Sequence, residues 1–315
     1  MKIDLHVHLD GSLRPDTVWE LAAEQGIRLP VSSREELACC LQVAEDCNDL
    51  TEYLKCFDLP LLVLQKPEAM ERVVFELCED LAGQGLTYAE IRFAPQLSLN
   101  GGISMDEVVE AAISGMNRGQ KTYPSLQTGL LLCFMRGRGN ELLNERTLAS
   151  AKKYYGKGVL GVDLAGAEAL FPTENYRELF CKVKEAGIKY TIHAGEAAGP
   201  ESVRYALEFG ATRLGHGVRA VEDEELVERL VCEKITLEVC PTSNLHTKLA
   251  KDPYSHPIRT LFDRGVRITV NTDNMTVSNT TLEREYEFLK QYYHFTDNEI
   301  EKMQEYAREA AFLEG

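Results

Sequence analysis

Residues 3–9 read IDLHVHL, a short apolar run in which two histidines lie two positions apart. A run of this length, rich in branched residues, predicts a buried strand. Seven more runs of the same kind follow, separated by segments with helical periodicity. The eight predicted strands cover residues 3–9, 87–93, 128–134, 158–163, 189–193, 212–216, 235–239 and 267–271. Strands that alternate with helices indicate a parallel sheet, because parallel strands need crossover connections.

Eight is the number of strands that closes a (β/α)8 barrel, so the sequence predicts an α/β fold of the TIM-barrel type. A doubly wound open sheet is the alternative, and it usually carries a glycine-rich phosphate loop after its first strand. Here the first strand continues into LDGSL at 9–13, which contains no such loop. Because no linker rich in Pro, Gly or Ser divides the chain, residues 1–315 are predicted to form one domain.

Capping residues and apolar periodicity predict helices between the strands. Ser104 and Glu107 form a capping box for a helix that runs to about Arg118, and Pro200 and Gly210 bracket another. The predicted helices after the second strand are 104–118, 141–155, 174–186, 200–209, 222–233, 257–264, 280–293 and 297–313. The long interval of about 11–85 is predicted to be a helical lid over the barrel mouth, with an ordinary helical insertion as the alternative. Its predicted helices are 16–25, 34–42, 50–65 and 68–82.

The composition is that of a globular protein, with 44% hydrophobic and 27% charged residues. The absence of a long apolar run excludes a membrane span, and the polar segment MKIDLHVHLDG is not a signal peptide. A net charge of −16 repels phosphate backbones, so nucleic acid is not an expected partner. The nine cysteines contain no CxxC pair, so we expect reduced thiols and a cytoplasmic location.

Five groups that can bind a metal ion or move a proton fall at the ends of predicted strands. His6 and His8 share one face of the first strand, because residues i and i+2 point the same way. His193 ends the fifth strand, His216 ends the sixth, and Asp273 follows the eighth. Barrel enzymes build their active sites at the carboxyl ends of the strands. We therefore expect these five side chains to meet at the barrel mouth.

Three imidazoles and one carboxylate are ligands that suit Zn²⁺, so one zinc ion per chain with an open water position is predicted. Glu196 follows His193 by three residues and is a candidate proton donor, the alternative being a carboxylate in the first turn of a helix. His216 could be a fourth ligand or an acid–base group, and the residues alone do not choose. The remaining histidines are predicted to lie at the surface: His246, His256 and His294.

Six ordered motifs around these residues resemble the adenosine deaminase family, whose members belong to the amidohydrolase superfamily and bind one zinc ion. The motifs are HVHLDG at 6–11, DLAG at 163–166, HAGE at 193–196, GHG at 215–217, EVCPTSN at 238–244 and NTD at 271–273. The resemblance extends from about residue 3 to about residue 313. It implies zinc-dependent hydrolytic deamination of adenosine, and of 2′-deoxyadenosine, to inosine and ammonia in purine salvage, so the expected partner is a purine nucleoside.

The resemblance also implies a role for each matched residue. The zinc ligands would be His6, His8, His193 and Asp273. Glu196 would protonate purine N1, His216 would orient the attacking hydroxide, and Asp273 would also accept a proton from the water. The substrate-binding residues would be His8, Asp10, Gly166 and Asn274. Of these, Asp10 would accept a hydrogen bond from the ribose 5′-hydroxyl, and the amide of Gly166 would donate to purine N3.

Two positions depart from the pattern of the family. Asn274 stands where many members carry a second aspartate that reaches purine N7. Because N7 only accepts hydrogen bonds, an aspartate must be protonated to bind it, whereas an asparagine amide donates at any pH. The change therefore leaves purine selectivity open. Ala94 stands where a serine is frequent, and we expect little effect from it.

Other functions remain as alternatives at this point. Adenine deaminases, which act on the free base, usually read HLEG where this chain reads HLDG, and a deaminase of a modified adenine nucleoside is a further relative. Two-metal amidohydrolases commonly carry a lysine at the end of strand four, which is absent from 162–165. Cytidine-type zinc deaminases need HxE with PCxxC, and neither occurs. A non-enzymatic nucleoside binder would need neither Glu196 nor His216.

Overall fold

Eight parallel strands form the centre of the molecule in the computed structural model, which describes residues 2–44 and 47–313. The strands are β1 Ile3–His8, β2 Tyr88–Phe93, β3 Gln127–Met135, β4 Val159–Ala165, β5 His193–Ala194, β6 Arg213–His216, β7 Thr236–Val239 and β8 Arg267–Val270. They pair in sequence order as two groups of four, β1 to β4 and β5 to β8. The number, order and direction of the strands therefore agree with the prediction.

Two short junctions join these groups into a closed barrel. At the first, Val162 of β4 pairs in parallel with Tyr190, just before β5. At the second, the amide of His8 donates to the carbonyl of Asp273 at 2.6 Å. The amide of Asp273 in turn donates to the carbonyl of His6 at 2.8 Å. The predicted (β/α)8 barrel is confirmed, and its last junction closes through three of the predicted metal ligands.

The fifth strand differs most from its prediction of 189–193. Regular pairing with β6 covers only His193–Ala194. The preceding residues run beside β4, where the carbonyl of Lys189 accepts from the Val162 amide at 3.0 Å. Gly161 permits this close approach, since a Cβ there would lie 2.6 Å from the Lys189 carbonyl oxygen. The bonds of 189–192 are too few and too irregular for a strand, so the predicted start was wrong.

Fourteen α-helices surround the barrel or connect its strands within the described residues. They are α1 Pro15–Gln25, α2 Arg34–Leu41, α3 Leu50–Tyr53, α4 Asp58–Val63, α5 Pro67–Gly83, α6 Met105–Thr122, α7 Glu141–Tyr154, α8 Arg177–Glu185, α9 Pro200–Phe209, α10 Glu224–Cys232, α11 Pro241–His246, α12 Ile258–Asp263, α13 Leu282–Tyr293 and α14 Asp297–Ala310. The predicted capping box is present at α6, where Ser104 Oγ accepts from the Glu107 amide at 3.2 Å. None of the described helices is long and apolar enough to cross a bilayer.

The segment between β1 and β2 contains one long helix, α5, which is preceded by shorter helices. Its last helix, α5, packs closely on α6, since a Cβ on Gly115 would lie 2.3 Å from the carbonyl oxygen of Glu71. The predicted helix 50–65 is instead broken into α3, a 3₁₀ turn at Leu54–Phe57 and α4. Pro60 explains the break, because proline is tolerated only in the first turn of a helix. A lid function for the whole of 11–85 stays a prediction.

The short helix α11 was not predicted. It begins at Pro241, inside the EVCPTSN motif, and ends at His246. Proline at the first position is a helix-start signal, but six residues are too few to show apolar periodicity. This helix carries Asn244, whose Nδ2 lies 2.9 Å from His216 Nδ1.

Candidate active site

A cavity that is open to solvent lies at the carboxyl ends of the barrel strands. All the predicted site residues except His6 line it: His8, Asp10, Gly166, His193, Glu196, His216, Asp273 and Asn274. His6 lies beside them, with its ring centroid 4.6 Å from that of His193. The opposite wall is apolar and comes mainly from α3 to α4, through Leu50, Tyr53, Leu54, Phe57 and Leu61. The structure thus brings all the predicted site residues together.

Four of these residues lie close enough together to hold one metal ion. The ligand atoms of His6, His8, His193 and Asp273 lie within 4.8 Å of one another. His8 Nε2 is 3.2 Å from His193 Nε2 and 3.4 Å from Asp273 Oδ1. Ligands at about 2.0–2.1 Å from an ion that keeps a fifth position for water are separated by roughly 3–4 Å, so these distances fit. The buried Nε2 of His6 has no hydrogen-bond partner among the described residues, and a cation would satisfy it.

Two buried carboxylates fix the orientation of the histidines. Glu238 Oε2 lies 2.8 Å from His6 Nδ1, and Asp163 Oδ2 lies 2.8 Å from His193 Nδ1. A carboxylate at Nδ1 keeps the hydrogen on that nitrogen and leaves the Nε2 lone pair for a metal ion. Arg92 bridges the two carboxylates, at 3.0 Å from Asp163 and 2.9 Å from Glu238. Neither anchor was predicted from the sequence, although Asp163 and Glu238 are the first residues of DLAG and EVCPTSN.

The electrostatics of this anchor network favour ionised carboxylates. Burial alone would raise the pKa of Glu238, but Arg92 and Arg213 hold it well below its usual range. Burial likewise opposes the ionisation of Asp163, and His193 and Arg92 hold its pKa well below the usual range. Both side chains therefore act as acceptors, as a histidine that binds a cation through Nε2 requires.

A second group of potential ligands overlaps the first and consists of His6, His216, Cys240 and Asp273. It is chemically less suitable, because burial raises the pKa of the Cys240 thiol well above its usual value. A thiol binds zinc as its thiolate, and a raised pKa disfavours that form. His216 Nδ1 is also already engaged, 2.9 Å from Asn244 Nδ2. The first group is therefore the better metal site.

Two of the site residues have left-handed backbone conformations. His216 has a φ of 58° and Asp273 a φ of 59°. Such conformations cost a non-glycine residue about 1–3 kcal/mol and persist only where surrounding bonds enforce them. At Asp273 these are the two hydrogen bonds that close the barrel onto His6 and His8. Beside His216, the Gly217 amide donates to the Ala194 carbonyl at 3.0 Å. His216 thus ends β6 and Asp273 follows β8 by three residues, and both side chains line the cavity.

Glu196 has the environment of a proton donor. Its side chain is buried, and its Oε2 lies 3.6 Å from His216 Nε2. Burial, together with the nearby Asp273 and Glu168 carboxylates, raises the pKa of Glu196 to about 8. At neutral pH the side chain is therefore protonated and can donate. The alternative of a first-turn helix carboxylate is wrong, because α9 begins only at Pro200.

Glu168, which was not predicted as a site residue, holds the loop that carries Glu196. Its carboxylate accepts from the amides of Gly195 at 2.7 Å, Glu196 at 3.0 Å, Ala197 at 2.8 Å and Ala198 at 2.9 Å. The hydroxyl of Ser202 donates to it as well. Glu168 follows the quoted DLAG motif by two residues, so an extended motif could have identified it. These five bonds fix the loop and place a negative charge near Glu196.

Two cavity residues present polar atoms that lack partners among the described residues. One is Oδ1 of Asp10 and the other is Oδ1 of Asn274, and both atoms are buried. Burial raises the pKa of Asp10 to about 6. Gly166 lies at the same cavity with a φ of 104°, a conformation that favours glycine. Unpaired buried polar atoms cost free energy, so these positions are suited to groups of a bound ligand.

The prediction that the remaining histidines lie at the surface is wrong for two of the three. His256 is buried, because its loop packs against α13, where the Tyr293 hydroxyl accepts from the His256 amide at 3.2 Å. His246 is half-buried in α11, with Nδ1 3.4 Å from Ser278 Oγ. His294 is exposed, as predicted. A lone histidine in a loop carries no sequence signal that reveals packing from distant segments.

A parallel (β/α)8 barrel with three histidines and one aspartate at its mouth defines the class of metal-dependent barrel hydrolases. The model of the adenosine deaminase family matches residues 1–315. The adenosine deaminase of Haemophilus ducreyi is 46% identical over 314 residues, which cover 99% of this chain and 91% of that protein. The chain belongs to the adenosine deaminase family. The predicted family and enzyme class are confirmed.

Solved structures extend the comparison across related activities. An adenine deaminase from Arthrobacter aurescens superposes with a TM-score of 0.90 at 25% identity, covering 99% of this chain and 94% of that one. The N6-methyl-AMP deaminase from Arabidopsis thaliana has a TM-score of 0.82 at 26% identity, covering 99% and 92%. The fold is therefore shared by deaminases of bases and nucleotides, and the cavity residues must decide the substrate.

Proposed function

We propose that the protein hydrolyses adenosine, and also 2′-deoxyadenosine, to inosine and ammonia, with one zinc ion per chain, in purine salvage. The observation that carries the proposal is the position of Glu196, a buried acid with a pKa raised to about 8, beside the metal-ligand group at one cavity. A metal site and a proton donor are the two elements that hydrolysis of an aromatic C–N bond needs. Zinc bound there would supply hydroxide near neutral pH by lowering the pKa of water to about 7.

The residues of the chain divide the proton transfers between them. Protonated Glu196 donates to purine N1, which makes C6 electrophilic. The oxygen of the attacking water adds to C6, and Asp273 accepts the proton that the water loses. His216, next to Glu196, donates a hydrogen bond to this oxygen and stabilises the charge that develops on it. Asp273 then passes that proton to the C6 amino group, the C6–N bond breaks and ammonia leaves, while the C6 hydroxyl gives its proton back to Glu196 and becomes the carbonyl of inosine.

The substrate is held by groups whose hydrogen bonds match those of adenosine. Asp10 accepts from the ribose 5′-hydroxyl, and the Gly166 amide donates to purine N3. The amide of Asn274 donates to N7, an acceptor. His8, which lines the cavity, contacts the substrate next to the metal site. Asp10 supports this arrangement through its buried Oδ1, which has no partner in the described chain. At Asn274 the unpartnered atom is the acceptor Oδ1, so a half-turn of the side-chain amide would bring Nδ2 to N7.

The charge of the cavity favours a nucleoside over a nucleotide. Its lining includes Asp10 and Asp58 and no lysine or arginine among the described residues. A 5′-phosphate would therefore meet carboxylates without a compensating cation, and like charges at close range repel. This argument separates the proposed substrate from a nucleoside monophosphate, while adenine remains the competing substrate because it lacks the ribose altogether.

A comparison of substrates tests the proposal. The zinc-loaded protein is supplied with adenosine, adenine, AMP or N6-methyl-AMP in separate reactions over a range of concentrations, and formation of the 6-oxopurine product is measured for each. We expect kcat/KM to be highest for adenosine and negligible for the two nucleotides. A higher kcat/KM for adenine or for either nucleotide would overturn the assignment. We also place the reaction in the cytoplasm, as the sequence predicts, and cell fractionation would test that location.

A further inference from the structure

A row of hydrogen bonds leads from the backbone of α12 to His216 in the candidate active site. The Ile258 amide donates to His256 Nδ1 at 3.1 Å, and His256 Nε2 lies 3.0 Å from Asn244 Oδ1. Asn244 Nδ2 in turn lies 2.9 Å from His216 Nδ1. All three side chains are buried, with 3%, 0% and 1% exposure in the order His256, Asn244 and His216. The row therefore connects a fixed backbone group with a ring at the cavity.

The first donor determines the direction of every bond in this row. A backbone amide can only donate, so His256 Nδ1 accepts, and a neutral imidazole then carries its hydrogen on Nε2. That N–H needs an acceptor, which requires the Asn244 oxygen to face His256 and the Asn244 amide group to face His216. His216 Nδ1 must accept from that amide. The hydrogen of the His216 ring consequently lies on Nε2.

His256 is neutral, as this argument requires, because burial lowers its pKa to about 3. Contact fixes the ring of His216: its Nδ1 faces the Asn244 amide nitrogen at 2.9 Å, so a hydrogen on Nδ1 would place two donors against each other. The Nε2 of His216 lies 3.6 Å from Glu196 Oε2, on the side of the ring that lines the cavity. A neutral His216 therefore presents an N–H donor to the cavity.

We propose that His256 and Asn244 are positioning residues that hold His216 in the tautomer with hydrogen on Nε2. In this tautomer His216 donates to the oxygen that adds to the substrate. It cannot serve as a metal ligand, because Nδ1 accepts from Asn244 and Nε2 carries the hydrogen. The row thus separates the two overlapping groups of potential ligands and leaves the cation to His6, His8, His193 and Asp273. The catalytic part of this inference rests on the role of His216 in the proposed function.

The ¹⁵N NMR spectrum of the zinc-loaded protein, labelled at histidine, tests the tautomer directly. Protonated and unprotonated ring nitrogens differ strongly in chemical shift, and the His216 signals are identified by their loss in His216→Gln. We expect an unprotonated Nδ1 and a protonated Nε2 for His216 in the parent protein. A protonated Nδ1 in the parent would overturn the inference, whether or not the protein deaminates adenosine.

Asn244→Asp then tests whether the row imposes this tautomer. An aspartate has nearly the same shape and still accepts from His256, but it cannot donate, so His216 Nδ1 must become protonated. We expect that change in the spectrum, together with a fall in kcat of about 10²–10⁴-fold at little change in KM, since acid–base groups contribute on that scale. An unchanged His216 spectrum would overturn the inference.

His256→Leu provides a second test that leaves Asn244 in place. Without the Nε2–H of His256, the Asn244 amide is free to rotate, and His216 should show signals of both tautomers. A single, unchanged tautomer in this variant would contradict the role of His256. His294→Gln, at an exposed position, is the matched control and should change neither the His216 signals nor kcat.

Discussion

The two sides of the cavity use histidine in opposite ways. On the metal side, His6 and His193 each have a carboxylate at Nδ1, so Nε2 offers a lone pair. On the acid side, His216 has an amide donor at Nδ1, and its Nε2 carries a hydrogen. The residue type is the same on both sides, and the partner behind the ring decides whether it is a ligand or a donor.

The carboxyl groups of the two sides differ in the same manner. Asp163 and Glu238 share Arg92 and remain ionised. Glu196 has no arginine or lysine within ion-pair distance among the described residues, and burial together with the carboxylates of Asp273 and Glu168 raises its pKa. The two sides of the cavity thus differ in the protonation state of their carboxyl groups. Changes on either side should therefore have separable consequences.

The largest effect on the acid side is expected from Glu196→Gln. The amide retains the shape of the carboxyl group but cannot deliver a proton to N1. We expect kcat for adenosine to fall at least about 10²–10⁴-fold, with zinc content and nucleoside binding retained. Steady-state kinetics, metal analysis and calorimetry with inosine measure the three quantities. Near-normal turnover would remove Glu196 from the reaction.

The next largest effect is expected on the pH dependence of activity, which should respond to substitution of Glu168, the residue that holds the Glu196 loop. Only the protonated form of Glu196 donates, so activity should fall as the pH rises through its pKa of about 8. Glu168→Gln removes a negative charge that raises this pKa, and we expect the alkaline limb to move to lower pH with a reduced kcat. The pH–rate profile records both. Glu178→Gln, the same charge change at an exposed position of α8, is the control and should leave the limb in place.

A smaller effect is expected where the ribose binds. Asp10→Ala should lower kcat/KM for adenosine roughly 10–150-fold, which corresponds to about 1.5–3 kcal/mol, because a hydrogen bond to a charged group is lost. The substrate 5′-deoxyadenosine lacks the hydroxyl and should be affected much less. Equal losses for both substrates would show that Asp10 acts elsewhere.

The smallest effect is expected at purine N7. With 7-deazaadenosine the amide of Asn274 faces a carbon and stays unpaired, which costs about 1–3 kcal/mol, or roughly 5–150-fold in kcat/KM. Comparison of the two substrates with the parent protein measures this loss directly. If 7-deazaadenosine is turned over as fast as adenosine, Asn274 does not bind N7.

The sequence could predict the residues that contact the metal ion or the substrate, but not the residues that hold those side chains in position. His6, His193, His216 and Asp273 could be placed because the carboxyl ends of barrel strands share one mouth. Arg92 could not be linked to Glu238, because the two residues are 146 positions apart and only the strand order brings them together. The burial of His256 has the same cause, since α13 packs over its loop.

Local backbone details were the other part that sequence patterns missed. The fifth strand is shorter than predicted, because β4 pairs with the residues before it only through Val162 and not along a continuous ladder. The helix predicted over 50–65 is interrupted, and Pro60 in α4 explains the interruption. The shape of the apolar wall of the cavity depends on where in its turn this proline lies. Both features follow from steric rules, but only once the neighbouring chain is in place.

The dependence of inosine formation on zinc tests the central claim most directly. The purified protein is stripped with a chelator, zinc is added back in steps, and inosine formation from adenosine is measured at each step. The account predicts no activity without metal, a linear rise and a plateau at one zinc ion per chain, with neither zinc binding nor activity in His193→Ala. Full activity in the stripped protein, or in His193→Ala without zinc, would contradict it.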